Sequence, residues 1–131
     1  MPKMNILLCG GGTGGHYYPL MAIKQDLHSK SDFCFSFIGA KKGIESSKIH
    51  SESIAFKLIS ISGLNRKVSI KSLFENIKVG INIIIGFFSV LIFFIQQKTN
   101  LVISTGGYSS FLPLQVARML KIPYVLHEQN S

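Results

Sequence analysis

The sequence predicts an α/β domain built on a doubly wound parallel sheet, and three observations lead to that prediction. Short apolar segments alternate with segments of helical pattern along 131 residues, a length that suits one domain. The composition is 47% apolar and only 15% charged, which is typical of a chain with a packed core. A glycine-rich run at residues 10–15 directly follows the first apolar segment.

The first half of the chain alternates three predicted strands with two predicted helices. Residues 4–9 (MNILLC) form a continuous apolar run, which indicates a buried strand. Residues 19–29 follow as a helix with a proline near its first turn. Residues 33–38 (FCFSFI) are the second strand, 43–50 a short helix and 55–60 the third strand.

The second half begins after a polar connection at residues 62–69. It holds a long helix at 70–97, a strand at 101–104, a helix at 110–120 and a fifth strand at 124–127. Strand–helix alternation implies a parallel sheet with helices on both faces. Right-handed crossovers then favour the strand order 3-2-1-4-5.

In that order the loops after strands 1, 4 and 5 meet at one crevice, beyond the carboxyl ends of the strands. These loops are residues 10–16, 105–108 and 128–130. Their predicted convergence is more informative than any single motif, and it places the candidate site.

Composition and net charge indicate which partners and which cellular compartment to expect for this protein. The net charge of +8 favours polyanionic partners, but the lysines are spread along the chain and accompany no nucleic-acid motif, so we expect no nucleic-acid partner. Cys9 and Cys34 each lie in an apolar segment, which indicates two buried residues of a reducing compartment. The amino-terminal apolar run is too short for a signal peptide, so we expect a cytosolic chain or one attached to a membrane from the cytosolic side.

The glycine run GGGTGG has several possible uses. It satisfies G-x-G-x-x-G, but strand 2 ends in IGAKK, without the carboxylate that holds a nicotinamide dinucleotide's ribose. An NADP-binding variant that uses Lys41 and Lys42 remains an alternative. The nucleoside-triphosphate loop is excluded because no Gly-Lys-Ser/Thr closes the run. Backbone N–H groups at a helix N-terminus, aimed at a diphosphate, are the favoured use.

Four motifs in order, GGGTGGHYYP, ISGLNRK, STGGYSSFLP and PYVLHEQNS, resemble the amino-terminal domain of the GT-B glycosyltransferases of family 28. The resemblance implies a Rossmann-like domain that faces a second such domain across a cleft. It also implies transfer of N-acetylglucosamine from UDP-GlcNAc to undecaprenyl-diphosphate-linked muramoyl pentapeptide, in peptidoglycan synthesis and without a cofactor. We expect residues 1–131 to be the acceptor-binding domain, with the carboxyl-terminal donor-binding domain absent from this sequence.

The resemblance also implies site residues. Those expected to contact UDP-GlcNAc are Thr13, Gly14, Gly15 and Asn130. Those expected to cradle the acceptor diphosphate are Gly12, Gly106, Gly107 and Tyr108.

Two residues are candidates for the base that takes the acceptor hydroxyl proton, which an inverting transfer requires. His16 lies at the N-terminus of the first helix, where the helix dipole disfavours imidazolium. Glu128 is the carboxylate of the three converging loops, and the choice between the two stays open. The resemblance also implies that the loop of Glu45, in AKKGIESSKI, lies near the cleft, but we interpret this residue as a solvated surface residue. No Cys, His or Asp spacing predicts a metal site.

Residues 79–97 are 19 residues without a charge, long enough to span a membrane. Glu75, Asn82, Ser89 and Gln96 recur every seven residues and draw one polar stripe down this helix. We therefore predict a helix of the fold with one face in the membrane interface, at the cytoplasmic face of the bacterial inner membrane, rather than a span. The basic residues expected to meet anionic lipid are Arg66, Lys67, Lys71 and Lys78.

Two other functions remain open from the sequence. One is a non-catalytic membrane-docking subunit of a split glycosyltransferase, and the other is an NADP-binding oxidoreductase fragment. The motif HEQN favours the transferase over the first, and the missing strand-2 carboxylate disfavours the second.

Overall fold

Residues 3–60 and 70–127 are described by a computed structural model in which strands and helices alternate. The strands are β1 (Asn5–Gly10), β2 (Cys34–Ala40), β3 (Ala55–Ile59), β4 (Leu101–Gly106) and β5 (Tyr124–Leu126). The α-helices are α1 (Gly14–Lys30), α2 (Glu45–Lys48), α3 (Ile70–Gln97) and α4 (Phe111–Met119), with 3₁₀ turns at Ile49–Glu52 and Tyr108–Ser110.

The five strands form one parallel sheet in the order β3-β2-β1-β4-β5, which confirms the predicted order. At the centre of the sheet, Leu8 of β1 lies opposite Phe37 of β2 and Ile103 of β4. The order of the strands reverses between β1 and β4, so the loops that follow these two strands lie side by side at the switch point.

Alternate side chains of β1 supply the two cores of the domain, one on each face of the sheet. Ile6 and Leu8 pack with Leu20 of α1, whereas Leu7 and Cys9 pack against α3 and α4. Burial raises the pKa of the Cys9 thiol to about 12, and the predicted burial of this residue is confirmed.

Two predictions made from local pattern are wrong. Cys34 is exposed because it is the first residue of β2, at the amino end of the sheet and opposite Asn5, outside both core clusters. Helix α1 begins at Gly14, five residues before the predicted start, so Pro19 lies inside the helix rather than at its first turn. Proline has no N–H, so the helix does without the bond that residue 19 would donate to Gly15.

Helix α3 is the crossover between β3 and β4 and packs on α4. Within the described ranges, Lys71–Gln97 is the one helix whose length and composition alone would allow it to cross a membrane. A span would place β3 and β4 on opposite sides of a bilayer, whereas both strands belong to one sheet. The structure therefore agrees with the prediction of a helix of the fold.

The outward side of α3 is also apolar. Val90, Phe93 and Phe94 are buried against the sheet and α4. The exposed large apolar residues of this helix are Leu73, Phe74, Ile77, Ile81, Ile84, Ile85, Phe88, Ile92 and Ile95. At 100° per residue these side chains share one arc of the helix, which we call the exposed α3 face.

Candidate functional site

The loop after β1 turns sharply at Gly12, where φ is +85°. Residues with side chains rarely adopt that conformation. A Cβ at this position would also lie 2.7 Å from Cε1 of Tyr108, in the loop after β4. The backbone conformation of Gly12 therefore favours glycine, and the exposed Tyr108 ring would have to move aside for a side chain there.

The loop after β4 makes the matching contact from its side. Gly107 has a φ of +90°, and a Cβ there would lie 2.7 Å from the carbonyl oxygen of Gly11. The backbones of the two glycine loops are thus in direct contact, and the predicted convergence of these two loops is confirmed.

Two buried serines fix the second loop. The hydroxyl of Ser104 accepts the N–H of Gly106 at 3.0 Å and donates to the hydroxyl of Ser110 at 2.9 Å. The Ser110 hydroxyl in turn donates to the carbonyl of Gly106 at 2.9 Å. Since both serines are almost fully buried, this closed network holds the loop in one shape.

His16 lies where the two loops meet. Its Nδ1 is 3.2 Å from Oγ1 of Thr13, and its ring lies against Gly106 and Gly107. The Thr105 hydroxyl donates to the carbonyl oxygen of His16 at 2.6 Å, which ties the first turn of α1 to the end of β4. The half-buried ring therefore borders the crevice, as a base or a hydrogen-bond donor to a ligand would.

The N-terminus of α1 carries unused donors. Thr13 is the N-cap residue, and its carbonyl accepts the N–H groups of His16 and Tyr17 at 3.2 and 3.1 Å. Across the described ranges, no protein atom accepts the N–H of Gly14 or Gly15. No acidic residue lies in this first turn, so the helix presents two donors at the positive end of its dipole, an arrangement that favours an anion.

Glu45 lies beside the first glycine loop, in a segment that the resemblance brings near the cleft, but its interpretation as a solvated surface residue is wrong. The side chain is fully buried, and its carboxylate accepts the N–H groups of Gly12 and Ala40. It lies near the end of β2, where dinucleotide-binding folds hold a ribose with a carboxylate. Because backbone N–H groups occupy its oxygens, Glu45 does not supply the ribose-binding carboxylate of an NAD site, which was missing from the end of strand 2.

Comparison of the sequence with known protein families shows which family the chain belongs to. The family model of the glycosyltransferase family 28 N-terminal domain matches residues 6–131. The chain belongs to this family.

Relatives of this family 28 domain agree with that assignment. A Bacillus pumilus protein is 40% identical over 129 residues, and a Carboxydothermus hydrogenoformans protein is 37% identical over 131 residues. Both are named UDP-N-acetylglucosamine–N-acetylmuramyl-(pentapeptide) pyrophosphoryl-undecaprenol N-acetylglucosamine transferase. In each case the match covers 98% of this chain and 34% of the relative, so the chain spans about a third of the length of these curated relatives.

Solved structures show the same fold. The crystal structure of Acinetobacter baumannii MurG superposes with a TM-score of 0.78 at 27% identity, covering 99% of this chain and 36% of that one. A domain of a Pyrococcus furiosus hydrogenase superposes over 96% of this chain and 92% of that one with a TM-score of 0.57, but at 14% identity it shows the fold alone.

Four predicted residues of the family 28 domain lie outside the described residues: Arg66, Lys67, Glu128 and Asn130. The last described residue, His127, donates its N–H to the carbonyl of Ser104 at 2.7 Å, beside the second glycine loop. Lys71 and Lys78 are exposed on α3, next to its exposed apolar face. The other predicted residues, Gly12 to His16 and Gly106 to Tyr108, are together at the junction of the two loops.

Proposed function

We propose that this family 28 domain is the acceptor-side part of an inverting hexosyltransferase. The reaction moves N-acetylglucosamine from UDP-GlcNAc to undecaprenyl-diphosphate-muramoyl pentapeptide, the step from lipid I to lipid II in peptidoglycan synthesis. The observation that carries the proposal is 40% identity, over 98% of the chain, to a relative whose name states this transfer. A second, donor-binding domain supplies most of the sugar-nucleotide contacts.

The geometry of the loops supports a division of roles. Thr13, Gly14 and Gly15, with Asn130, contact UDP-GlcNAc, and the free N–H groups at the start of α1 stabilise the charge of the leaving UDP. The acceptor diphosphate lies against the second loop. Its contacts are Gly106, Gly107 and Tyr108. Gly12 was also expected to contact it, but the N–H of Gly12 already donates to Glu45, so in this proposal Gly12 instead leaves room for the ring of Tyr108.

In the transfer, an acceptor hydroxyl attacks C1 of N-acetylglucosamine, the bond from C1 to the diphosphate breaks, and a base takes the hydroxyl proton. His16 and Glu128 are the two candidates for that base. The contacts of His16 with Thr13, Gly106 and Gly107 support its candidacy, because the proposed contacts of both diphosphates lie in these two loops.

The test uses a chimera in which residues 1–131 replace the aligned third of the Bacillus pumilus relative. We expect the chimera to transfer N-acetylglucosamine to the lipid-linked acceptor. Membrane binding without transfer would instead support the docking-subunit alternative, and binding of NADP would support the oxidoreductase alternative.

The same chimera tests the base. Loss of a general base typically costs about 10²–10⁴-fold in rate. We expect either His16→Ala or Glu128→Gln to lower kcat by that amount at saturating acceptor. If neither variant loses tenfold, the base lies outside this domain.

We further propose that the exposed α3 face docks on an anionic membrane, so that the enzyme is peripheral to the cytoplasmic face of the inner membrane. Phe74 is 67% exposed, and Ile84 and Ile95 are 60% and 63% exposed, far more apolar surface than a solvated helix needs. Lys71 and Lys78 border this face, and Arg66 and Lys67 precede it in the sequence. A lipid-linked acceptor gives such docking a purpose.

Vesicle flotation tests the docking. Each lysine near anionic lipid contributes about 1 kcal/mol, so the double variant Lys71→Gln/Lys78→Gln should bind about 30-fold more weakly. The matched control is Lys3→Gln/Lys30→Gln, which removes the same charge from exposed positions off this helix. Salt and carbonate should release the unchanged protein. Retention through carbonate would indicate a spanning helix and contradict the proposal.

A further inference from the structure

Glu45 connects two loops that approach the candidate site from different strands. Its Oε1 accepts the N–H of Ala40 at 2.9 Å and lies 3.2 Å from the nitrogen of Gly12. Its Oε2 accepts the N–H of Gly12 at 2.9 Å. Among the residues that the structure describes, no lysine, arginine or histidine pairs with this carboxylate. Its partners are backbone donors of the first glycine loop and of the end of β2.

The backbone around Glu45 leaves space for its side chain. A Cβ added at Gly11, Gly39 or Gly43 would come closer than 3.0 Å to atoms of the Glu45 side chain. Three glycines from two separate segments thus leave the space that the glutamate fills. This accommodation is independent of the hydrogen bonds, and it indicates a built site.

The hydrogen bonds of Glu45 determine which backbone N–H groups of the first glycine loop remain available to bind an anion. The N–H of Gly12 already donates to Glu45, and a negative charge lies directly behind Gly11 and Gly12. A phosphate at Gly12 would meet an occupied donor and a like charge. The N–H groups of Gly14 and Gly15 have no such partner in the described part of the chain.

We propose that Glu45 is a positioning residue of the transferase. It holds the first glycine loop against the end of β2, and it directs the diphosphate of UDP-GlcNAc away from Gly12 to the N–H groups of Gly14 and Gly15. The inference rests on the proposed function, since it names the donors that the same site offers to its sugar nucleotide.

The variant Glu45→Gln tests the positioning in the chimera defined above. A glutamine has the same size, but one of its two polar atoms is a donor. Whichever way the amide faces, its NH₂ group meets a backbone N–H that needs an acceptor. We expect kcat/KM for UDP-GlcNAc to fall about 10- to 100-fold, mainly through KM, because the loop that contacts the donor substrate shifts.

Ile49→Ala is the matched control. Ile49 is equally buried and lies one turn after Glu45, but it packs into the apolar cluster on the α1 face of the sheet. We expect the control to lower the melting temperature at least as much as Glu45→Gln, with kcat/KM within threefold of the unchanged chimera. Equal kinetic losses in the two variants would reduce Glu45 to a structural role.

A second measurement needs no variant at Glu45. In chimera labelled with ¹⁵N-glycine, amide exchange should be slow at Gly12 both with and without UDP-GlcNAc. Exchange at Gly14 and Gly15 should slow only when UDP-GlcNAc is present. Fast exchange at Gly12 in the free enzyme, or protection gained there on adding UDP-GlcNAc, would overturn the inference. An unchanged chimera that neither binds UDP-GlcNAc nor transfers would contradict the proposed function instead.

Discussion

Replacing Gly15 with alanine tests whether this position is a glycine because a ligand approaches it or because the fold has no room for a side chain. In the described part of the chain, the nearest atom to a Cβ at residue 15 would be Oγ1 of Thr13, at 3.6 Å, an ordinary contact. A Cβ at Gly12 would lie only 2.7 Å from the ring of Tyr108. The folded domain therefore has room for a methyl group at position 15, and its own packing does not explain the glycine.

Two effects of opposite sign follow from this geometry. Gly15 is in the first turn of α1, and alanine is favoured over glycine in a helix by about 0.5–1 kcal/mol, so the variant should be at least as stable as the natural chain. The methyl group would hinder a phosphate from reaching the N–H of Gly15. Loss of a hydrogen bond to a charged group costs about 1.5–3 kcal/mol, which corresponds to a fall of about 10- to 150-fold in kcat/KM.

The assay measures kcat/KM for UDP-GlcNAc in the chimera together with its free energy of unfolding in urea. Gly80→Ala is the control, because a Cβ there would have no atom within 4 Å and the same helix-stabilising change occurs in α3, away from both glycine loops. We expect Gly80→Ala to stabilise the chain by about 1 kcal/mol with unchanged kinetics. If Gly15→Ala also keeps kcat/KM within threefold, the diphosphate does not approach the start of α1, and the donor assignment there is wrong.

Two further predictions concern stability. Gly107→Ala should lower the free energy of unfolding in urea by about 2 kcal/mol or more. The reason is that an alanine there would have a φ of +90° and a Cβ 2.7 Å from the Gly11 carbonyl oxygen. A loss below about 0.5 kcal/mol would show that the two loops do not touch. Burial raises the pKa of Cys9 from 9.0 to about 12, so the folded chain keeps a proton that the unfolded chain releases, and stability should fall as pH rises from 9 to 12. At pH 10.5 this loss is about 2 kcal/mol, measured as the difference in urea unfolding from Cys9→Ala, which lacks the thiol.

The sheet could be predicted from the sequence because its strands are unambiguous. A parallel strand buried on both faces is a continuous apolar run, as in β1, and the crossover rule fixes most of the order. The meeting of the two glycine loops follows from that order alone. Side-chain contacts across the crevice, such as Tyr108 with Gly12, depend on distances that strand order does not set.

The start of α1 shows where local pattern fails. Proline is favoured in the first turn of a helix, so the sequence indicates a helix that begins near Pro19. The structure begins it at Gly14, where the Thr105 hydroxyl donates to the carbonyl of His16 and anchors the first turn to β4. This contact joins residues 89 positions apart in sequence and overrides the local preference for where the helix begins. The local pattern of apolar residues does not reveal such a contact.

The burial of Glu45 was not predicted, for a related reason. This burial also changes the interpretation of the glycine run at residues 10–15. A glutamate is almost never fully buried unless it is paired, so a charged residue in a polar segment is expected at the surface. Here the partners are two backbone N–H groups, which leave no mark on composition. They are accompanied by three glycines, Gly39, Gly43 and Gly11, each at a place where a Cβ would collide with the Glu45 side chain. Part of the glycine content of the first loop therefore serves an internal anion, whereas Gly15, which has room for a methyl group, is not explained by the packing of the domain.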